Sequence, residues 1–426
     1  MPPIITPGTK LEKNLKKLMK ILQINKFFYL KGGAERCFFD TVEILEQHGH
    51  EVAVFSMVDK KNYPSRWQKY FVGNINYHTP AAWARKLSLA LKFIRNREAA
   101  KKLQKLIDDF KPEIAHLHNI YHQLSPSIIK VLAKNKIPMV MTLHDYKVIC
   151  PNYNLFVLGK NYDRCRQGKF YQCLLDRCVG GSFWQSLLGT IEAYYNQRLY
   201  RQINLFIAPS KFLEQKFKDY GFKERITNLP YAFIKRESQF TGENIIEENY
   251  FLYAGRISAE KGLDVLIKAM RNINNSRLII AGDGPERERL EKLTAELKLK
   301  NKINFIGRQD QTALFNLIKN ANAVIVPSVW HENLPYAVIE AMGLTKIVIC
   351  SKIGGLLEMI EDGKTGFFFN PNDYRDLALV IKKTLNLKPN ELKLIGERAN
   401  KVVEEKYSPD QYYQKLINCY QQVIGL

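Results

Sequence analysis

The sequence lacks any apolar run that approaches the ~20 residues needed to cross a bilayer. Its opening stretch, MPPIITPGTKLEKNLKKLMK, has basic residues but no continuous apolar segment of the kind found in signal peptides. Both absences argue against a secreted or membrane-spanning chain, so we expect a cytoplasmic protein. Because Met19 stands directly before a strand-like run, we expect residues 1–18 to be an extension outside the fold.

Acidic residues are also few. The chain has 42 Asp and Glu against 64 Lys and Arg, a formal net charge of +22 at pH 7. Self-repulsion of this size indicates an anionic partner, which could be a nucleic acid, a membrane surface or a substrate. No helix-turn-helix, zinc-finger or RNA-recognition motif is visible, so we expect no nucleic acid partner.

The 426 residues, 46% hydrophobic and 25% charged, fit a globular protein of two domains. Short apolar runs alternate with longer helical patterns in both halves. The runs are KILQIN, EVAVFSM, EIAHLH, IPMVMTLHD and NLFIAPS, then YFLYAGRI, RLIIAGDG, KINFIG, NAVIVPS, KIVICS and GFFFN. This alternation predicts βαβ crossovers and parallel sheets, and therefore an α/β protein with two doubly wound Rossmann-like domains.

Periodicity is lost in residues 229–248, where polar residues and Gly gather, and we expect the hinge there. Ser408 and Pro409 are typical of the N-cap and the first position of a helix. The expected units are a first domain (19–235) with a Cys-rich insertion (146–182), a second domain (236–407), and a terminal helix packed back on the first domain (408–426).

Candidate ligand-binding groups follow the strands, where open parallel sheets bind their ligands. Gly32 and Gly33 precede a helix, and their backbone could approach a phosphate; the alternative is a tight turn. Arg256 and Lys261 follow another strand and suit a diphosphate, unless they are a solvated surface pair. Further candidates at the same ends of strands are Gly255, Gly282, Asp283, Gly284, Gly307 and Arg308.

Two glutamates flank a predicted helix start in the stretch SVWHENLPYAVIEAMG. We expect Glu332 in the loop after a strand, a helix that starts at Asn333, Leu334 and Pro335, and Glu340 about two turns into it. The two carboxylates could accept hydrogen bonds from hydroxyls of one sugar-containing ligand. The alternative is a solvated helix face.

The ordered motifs GG, GR-xxxx-KG, AGDGP, GR, HENLPYAVIEAM and SKIGGLLEMIEDGKTGFFF resemble the retaining glycosyltransferases of family 4, which have the GT-B fold. The resemblance covers residue 20 to about 425. It implies that Glu332 touches the donor sugar and that Glu340 holds the ribose. It also implies a metal-independent hexosyltransferase in which the central cleft lies between an acceptor domain and a nucleotide-sugar domain.

The same resemblance assigns diphosphate binding to Arg256 and Lys261, and donor positioning to His144 of VMTLHD. For His144, the alternative is a strand-end histidine satisfied by a neighbour. Many members of the family have Phe-Gly where this chain has Leu334-Pro335. No Asp-x-Asp motif occurs, so a metal-bound diphosphate is not expected and no cofactor is required.

The expected donor is a UDP- or GDP-sugar, and the expected acceptor is a glycan or a lipid-linked glycan of cell-surface polysaccharide or glycolipid synthesis. A nucleotide-sugar epimerase of the same fold is the main alternative. Sequence alone identifies neither the donor nor the acceptor.

Four cysteines lie in one segment directly after His144: Cys150, Cys165, Cys173 and Cys178. In a cytoplasmic protein they could bind a structural Zn²⁺, although the segment has no Cys-x-x-Cys pair; buried free thiols are the alternative.

Residues 81–111 hold far more Lys and Arg than acids. Their apolar residues recur at helical spacing (Trp83, Leu87, Leu91 and Ile94), and basic residues accompany them (Lys86, Lys92, Arg95 and Lys102). We expect peripheral binding to the anionic inner face of a membrane, or else an ordinary crossover helix.

Overall fold

The computed structural model describes residues 18–75, 92–235 and 249–425. The first of its two main sheets is parallel, with strand order β2-β1-β3-β4-β7-β8. Its strands are β1 (Lys20–Ile24), β2 (Glu51–Phe55), β3 (Ile114–Leu117), β4 (Met139–Thr142), β7 (Leu205–Ala208) and β8 (Ile226–Asn228). Sequence analysis missed β8, because three residues with polar neighbours give no periodic signal.

The second sheet is also parallel, with strand order β11-β10-β9-β12-β13-β14. Its strands are β9 (Tyr250–Ala254), β10 (Arg277–Ala281), β11 (Ile303–Gly307), β12 (Ala323–Val326), β13 (Val348–Ser351) and β14 (Phe367–Phe369). All six were predicted from the sequence. A small antiparallel hairpin, β5 (Phe156–Val157) with β6 (Lys160–Asn161), interrupts the first domain.

Helices cover both faces of the two sheets. In the first half they are α1 (Gly33–Gln47), α2 (Arg97–Phe110), α3 (Ile128–Lys134), α4 (Tyr171–Leu175), α5 (Phe183–Tyr200) and α6 (Lys211–Asp219). In the second half they are α7 (Leu263–Ala269), α8 (Arg287–Glu296), α9 (Gln311–Asn320), α10 (Tyr336–Gly343), α11 (Leu356–Met359), α12 (Tyr374–Leu385), α13 (Pro389–Lys406) and α14 (Pro409–Ile424). No helix in these three described ranges is long and apolar enough to cross a membrane.

Helix α14 begins where the sequence predicts: the Ser408 side chain accepts a hydrogen bond from the Gln411 N–H, and Pro409 is the first helical residue. Its apolar face packs on the first sheet, in one core cluster with Ile21, Val52 and Val140. The connection into the second domain and the return from it are joined by the Phe233 N–H, which donates to the Tyr407 carbonyl at 2.7 Å.

Only part of the basic segment (residues 81–111) can be compared with the structure. Residues 81–91 lie outside the described ranges, and with them Trp83, Lys86, Leu87 and Leu91. In α2, which contains Lys102, the apolar residues Leu103, Leu106 and Phe110 are buried in the first-domain core. The described part of the segment therefore matches an ordinary crossover helix.

Candidate active site

Loops at the carboxyl ends of the two sheets touch across the cleft. Asn333 follows β12, and its side-chain amide donates to the Leu143 carbonyl at 3.2 Å, directly after β4. Its side-chain oxygen accepts from Ser210 Oγ at 2.8 Å. The Tyr146 hydroxyl donates to the His331 carbonyl at 2.8 Å. Asn333 therefore connects the two domains next to His144, a role that its place beside Glu332 in the sequence does not reveal.

Glu332 is buried in the loop after β12 and is held by a cation. Lys261 Nζ lies 2.6 Å from Glu332 Oε1, and the Ser328 hydroxyl donates to the same oxygen. Gly354 has φ +61°, and a Cβ there would lie 2.6 Å from the Glu332 carbonyl oxygen, so there is no room for a side chain. The Lys261 charge stabilises the buried carboxylate, and Glu332 is thereby fixed as a hydrogen-bond acceptor at this end of the strand.

Glu340 has different neighbours from those of Glu332. Helix α10 begins at Tyr336, with Pro335 as its N-cap, so Glu340 is just over one turn into the helix. The expectation of a helix start at Asn333 and of two turns before Glu340 was wrong, because residues 333–335 belong to the loop before the helix: Asn333 bonds to the first domain and Pro335 has an extended backbone. Glu340 Oε1 lies 3.8 Å from Arg36 Nη2 of α1, and both residues line a narrow cavity between the domains.

The Gly-rich loop of the first domain meets the second domain. Gly33 begins α1, and a Cβ there would lie 3.4 Å from the Tyr336 ring. Arg308 donates to the Leu30 carbonyl in the same loop. Partial desolvation lowers the pKa of Lys31, and the positive charge of Arg256 lowers this pKa further. Lys31, which sequence analysis missed, therefore adds a third cation near Arg256 and Arg308.

The remaining strand-end glycines mainly allow backbones to approach each other. A Cβ on Gly282 would lie 1.8 Å from the Gly255 carbonyl oxygen, and one on Gly284 would lie 2.1 Å from that of Ile257. The loops after β9 and β10 are thus packed backbone against backbone. Gly307, with φ +73°, directly precedes Arg308.

Two other predicted site residues differ in exposure. Arg256 is exposed at the end of β9. Leu334 is buried in the second-domain core.

His144 belongs to a buried chain of hydrogen bonds. Its Nε2 lies 2.9 Å from His118 Nδ1, and its Nδ1 lies 2.9 Å from the Tyr231 hydroxyl. His118 Nε2 lies 3.0 Å from Gln23 Oε1, and Gln23 Nε2 donates to the Tyr420 hydroxyl at 3.1 Å. The chain thus runs from α14 through the first sheet to the segment that leads into the second domain.

The chain fixes the tautomer of His144. Burial lowers the pKa of His144 to about 3 and that of His118 well below its usual value, so both rings are neutral near pH 7. The Gln23 amide oxygen only accepts, so His118 Nε2 donates and His118 Nδ1 accepts. His144 therefore donates from Nε2 and accepts at Nδ1 from the Tyr231 hydroxyl. His144 is held in one orientation and does not titrate at neutral pH.

This tautomer can be measured. In a protein with ¹⁵N-labelled histidine, the Nδ1 resonance of His144 is expected in the unprotonated range and its Nε2 resonance in the protonated range. Neither resonance should shift between pH 5 and 8, because burial keeps the pKa near 3. Tyr231→Phe should move the Nδ1 resonance alone. A titration of His144 near pH 6.5 would contradict the assignment.

A second polar cluster near His144 was missed by sequence analysis. Lys26 Nζ lies 3.7 Å from the centre of the Tyr121 ring, and the Tyr121 hydroxyl donates to Asp145. Burial lowers the pKa of Lys26 to about 8, although Asp145 and Glu35 oppose the shift. The only sequence signal was that Lys26 and Asp145 each follow the end of a strand.

The four cysteines of the insertion are buried free thiols in the first-domain core. Burial raises the pKa of Cys150 to about 11, whereas a hydrogen bond from Cys173 lowers that of Cys178. In the described part of the chain, no three of these sulfurs lie within 4.8 Å of one another. The described structure therefore favours free thiols over the Zn²⁺ site, which stays a prediction.

One group of possible metal ligands does occur within the described residues: Cys37, His118 and His144, whose ligand atoms lie within 4.8 Å of one another. The hydrogen bond between the two histidines explains their closeness. Burial raises the pKa of the Cys37 thiol to about 12, so it stays protonated and is a poor ligand. We therefore assign the two histidines to the hydrogen-bonded chain, and Cys37 is a buried thiol beside them whose Sγ lies 3.9 Å from the Thr41 hydroxyl.

Comparison with known proteins places this geometry in a family. Residues 31–231 match the model of Glycosyltransferase Family 4, and residues 235–402 match that of Glycosyl transferases group 1. A glycosyltransferase of unassigned function from Methanocaldococcus jannaschii is 33% identical over 177 residues, which cover 41% of this chain and 45% of that protein. Lipopolysaccharide 1,2-N-acetylglucosaminetransferase from Salmonella typhimurium is 30% identical over 229 residues, or 49% of this chain and 60% of that protein.

The chain thus spans about half the length of these curated relatives. A solved structure, HepE from Anabaena in complex with UDP and glucose, superposes with a TM-score of 0.67 at 18% identity and covers 95% of this chain and 100% of that one. This likeness shows the fold. The two sheets, their order and the two matched models together show that the chain belongs to the family 4, group 1 glycosyltransferases and has the GT-B fold.

Proposed function

We propose that the protein is a retaining, metal-independent hexosyltransferase. It moves a sugar from a UDP- or GDP-sugar to a glycan or lipid-linked acceptor in cell-surface polysaccharide or glycolipid synthesis. The observation that carries the proposal is the Lys261–Glu332 ion pair at 2.6 Å, where the second sheet contacts the first-domain loop that holds His144. HepE, whose solved structure contains UDP and glucose, supports the donor class.

The cations at the strand ends suit the leaving diphosphate. Arg256 and Lys261 would stabilise its negative charge as the bond between the sugar and the diphosphate breaks, with no metal needed. Glu332 would accept hydrogen bonds from the donor sugar, and Glu340 from the ribose. The acceptor hydroxyl attacks on the face that the diphosphate leaves, and its proton passes to a diphosphate oxygen. His144, held neutral, would orient the donor.

The first experiment is a panel of UDP- and GDP-sugars tested for thermal stabilisation, followed by NMR of the product formed with a glycan acceptor. We expect one donor to stabilise the protein and the product to keep the donor's anomeric configuration. An epimerase, the alternative, would convert the nucleotide sugar without any acceptor. Inverted configuration would also contradict the proposal.

The two glutamates should act on different parts of the donor. Glu332→Ala is expected to lower donor turnover and sugar selectivity but leave affinity for free nucleoside diphosphate nearly unchanged. Glu340→Ala should weaken that affinity too, by ~10-fold, the loss of one charge-assisted hydrogen bond. Calorimetric titration with nucleoside diphosphate measures the difference. Glu361→Ala, which removes an exposed carboxylate paired with Lys364, is the matched control.

If Glu340→Ala binds nucleoside diphosphate as tightly as the unaltered protein, the ribose assignment fails.

The acceptor domain is proposed to be residues 19–235 and the nucleotide-sugar domain residues 236–407. Peripheral contact with the anionic inner face of a membrane is also part of the proposal, since it would bring the enzyme to a lipid-linked acceptor.

A further inference from the structure

Helix α5 in the first domain is turned with its polar side inward. Its buried residues include Ser186, Gly189, Thr190, Glu192 and Asn196. Its exposed residues include four large apolar side chains: Phe183 (44% exposed), Trp184 (74%), Ile191 (48%) and Tyr194 (43%). At 3.6 residues per turn these four residues fall on one face of the helix. A helix that exposes four large apolar side chains while it buries Glu192 and Asn196 departs from the usual arrangement in a globular protein.

The neighbouring helix α4 extends this face. The Tyr171 N–H donates to the Tyr194 hydroxyl at 3.4 Å, and the Phe170 and Tyr194 rings are 5.2 Å apart. Tyr171 and Leu175 of α4 are also exposed. We call this surface the α4–α5 patch, and its exposed members are Tyr171, Leu175, Phe183, Trp184, Ile191 and Tyr194.

Specific polar contacts hold the helix in this orientation. Glu192 lies 2.7 Å from Lys147 Nζ in a fully buried ion pair. Ser186 Oγ accepts from the Val179 N–H at 3.0 Å, and Thr190 donates to the Phe170 carbonyl at 3.3 Å. Rotation of α5 to bury its apolar face would break all three contacts. Exposure of the patch is therefore a fixed property of the fold.

The charges around the patch are positive. Lys169, Arg177 and Arg198 are exposed, and Arg198 continues the outward face of α5 one turn beyond Tyr194. The acids of the same region are paired: Asp176 with Arg164 at 2.6 Å, and Asp163 with Lys216 at 3.0 Å. The partner of the patch should therefore be anionic as well as able to receive apolar side chains.

We propose that the α4–α5 patch docks on an anionic lipid surface. Trp and Tyr side chains favour the boundary between headgroups and acyl chains, Leu, Ile and Phe enter it, and Lys and Arg contact anionic headgroups. Lys147, the partner of Glu192, is two residues from Asp145, which adjoins His144. The patch therefore lies on an element joined directly to the mouth of the cleft.

This inference gives the proposed lipid-linked acceptor a route to the site, but its test does not depend on transfer. Sedimentation is measured with vesicles of phosphatidylcholine alone or mixed with phosphatidylglycerol, without any nucleotide sugar. The protein should bind the mixed vesicles, with a blue shift of Trp fluorescence. Trp184→Glu and Ile191→Glu should each weaken binding at least ~10-fold. Arg198→Ala should weaken it roughly fivefold.

The matched control is Leu379→Glu, which replaces a comparably exposed apolar residue of α12 in the second domain and should bind like the unaltered protein. Equal binding by Trp184→Glu and the unaltered protein would overturn the proposal. It would also be overturned if vesicles do not bind and sedimentation shows a dimer that Trp184→Glu dissociates, because the patch would then bind a second copy. If the patch binds lipid but no sugar is transferred, only the proposed function fails.

Discussion

Replacement of Lys261 by alanine is expected to lower kcat/KM for sugar transfer by at least ~100-fold, the usual cost of losing one preorganised electrostatic contact to a developing charge. The variant loses the cation near the leaving diphosphate and leaves Glu332 buried without its 2.6 Å ion pair. Arg256→Ala should have a similar effect on transfer. Its side chain is exposed, so the fold should be unchanged.

The matched control is Lys268→Ala in α7, which removes a half-exposed lysine paired with Asp264 at 3.2 Å in the same domain. It should transfer sugar at the normal rate. Initial rates are measured with the donor found in the stabilisation screen, and circular dichroism checks the fold. Transfer at the normal rate by either Lys261→Ala or Arg256→Ala would refute the diphosphate assignment.

Glu192→Ala is expected to lower the free energy of unfolding of the first domain by about 3–5 kcal/mol, because it leaves the Lys147 charge buried without its partner. Lys147 Nζ also donates to the Pro151 carbonyl at 3.1 Å, but a carbonyl does not neutralise its charge. Urea unfolding followed by CD and Trp fluorescence measures the loss.

A double variant separates loss of the ion pair from general damage. Lys147→Met with Glu192→Leu removes both charges and should recover most of the lost stability. Glu288→Ala, which breaks the exposed pair with Lys292 on α8, should leave the unfolding midpoint unchanged. If Glu192→Ala unfolds at the normal midpoint, the buried pair does not stabilise the domain.

The sequence predicted most of the fold because strands and helices have local periodic signals. All six strands of the second sheet and the N-cap of α14 were found in this way. Strand β8 was missed, since Ile226–Asn228 takes its identity from pairing with β7. The orientation of helix α5 was not predicted, because the inward position of Glu192 depends on Lys147, which is 45 residues away.

The site was predicted as a set of residues and not as a set of contacts. Lys261 and Glu332 were both named, but their ion pair joins residues 71 positions apart and has no signal in either motif. Asn333 was predicted only as part of a helix start beside Glu332, while its bonds to Leu143 and Ser210 join the two domains. Such contacts depend on how the two sheets are placed, which no local pattern encodes.

The packing of α14 constrains how the protein folds while it is being synthesised. Gln23 and Tyr420 are hydrogen-bonded although 397 positions separate them. The face of the first sheet that contains Ile21, Val52 and Val140 therefore lacks part of its cover while the ribosome makes the whole second domain. This apolar face is available to chaperones during that interval. The first domain can therefore complete its core only after the second domain has been synthesised.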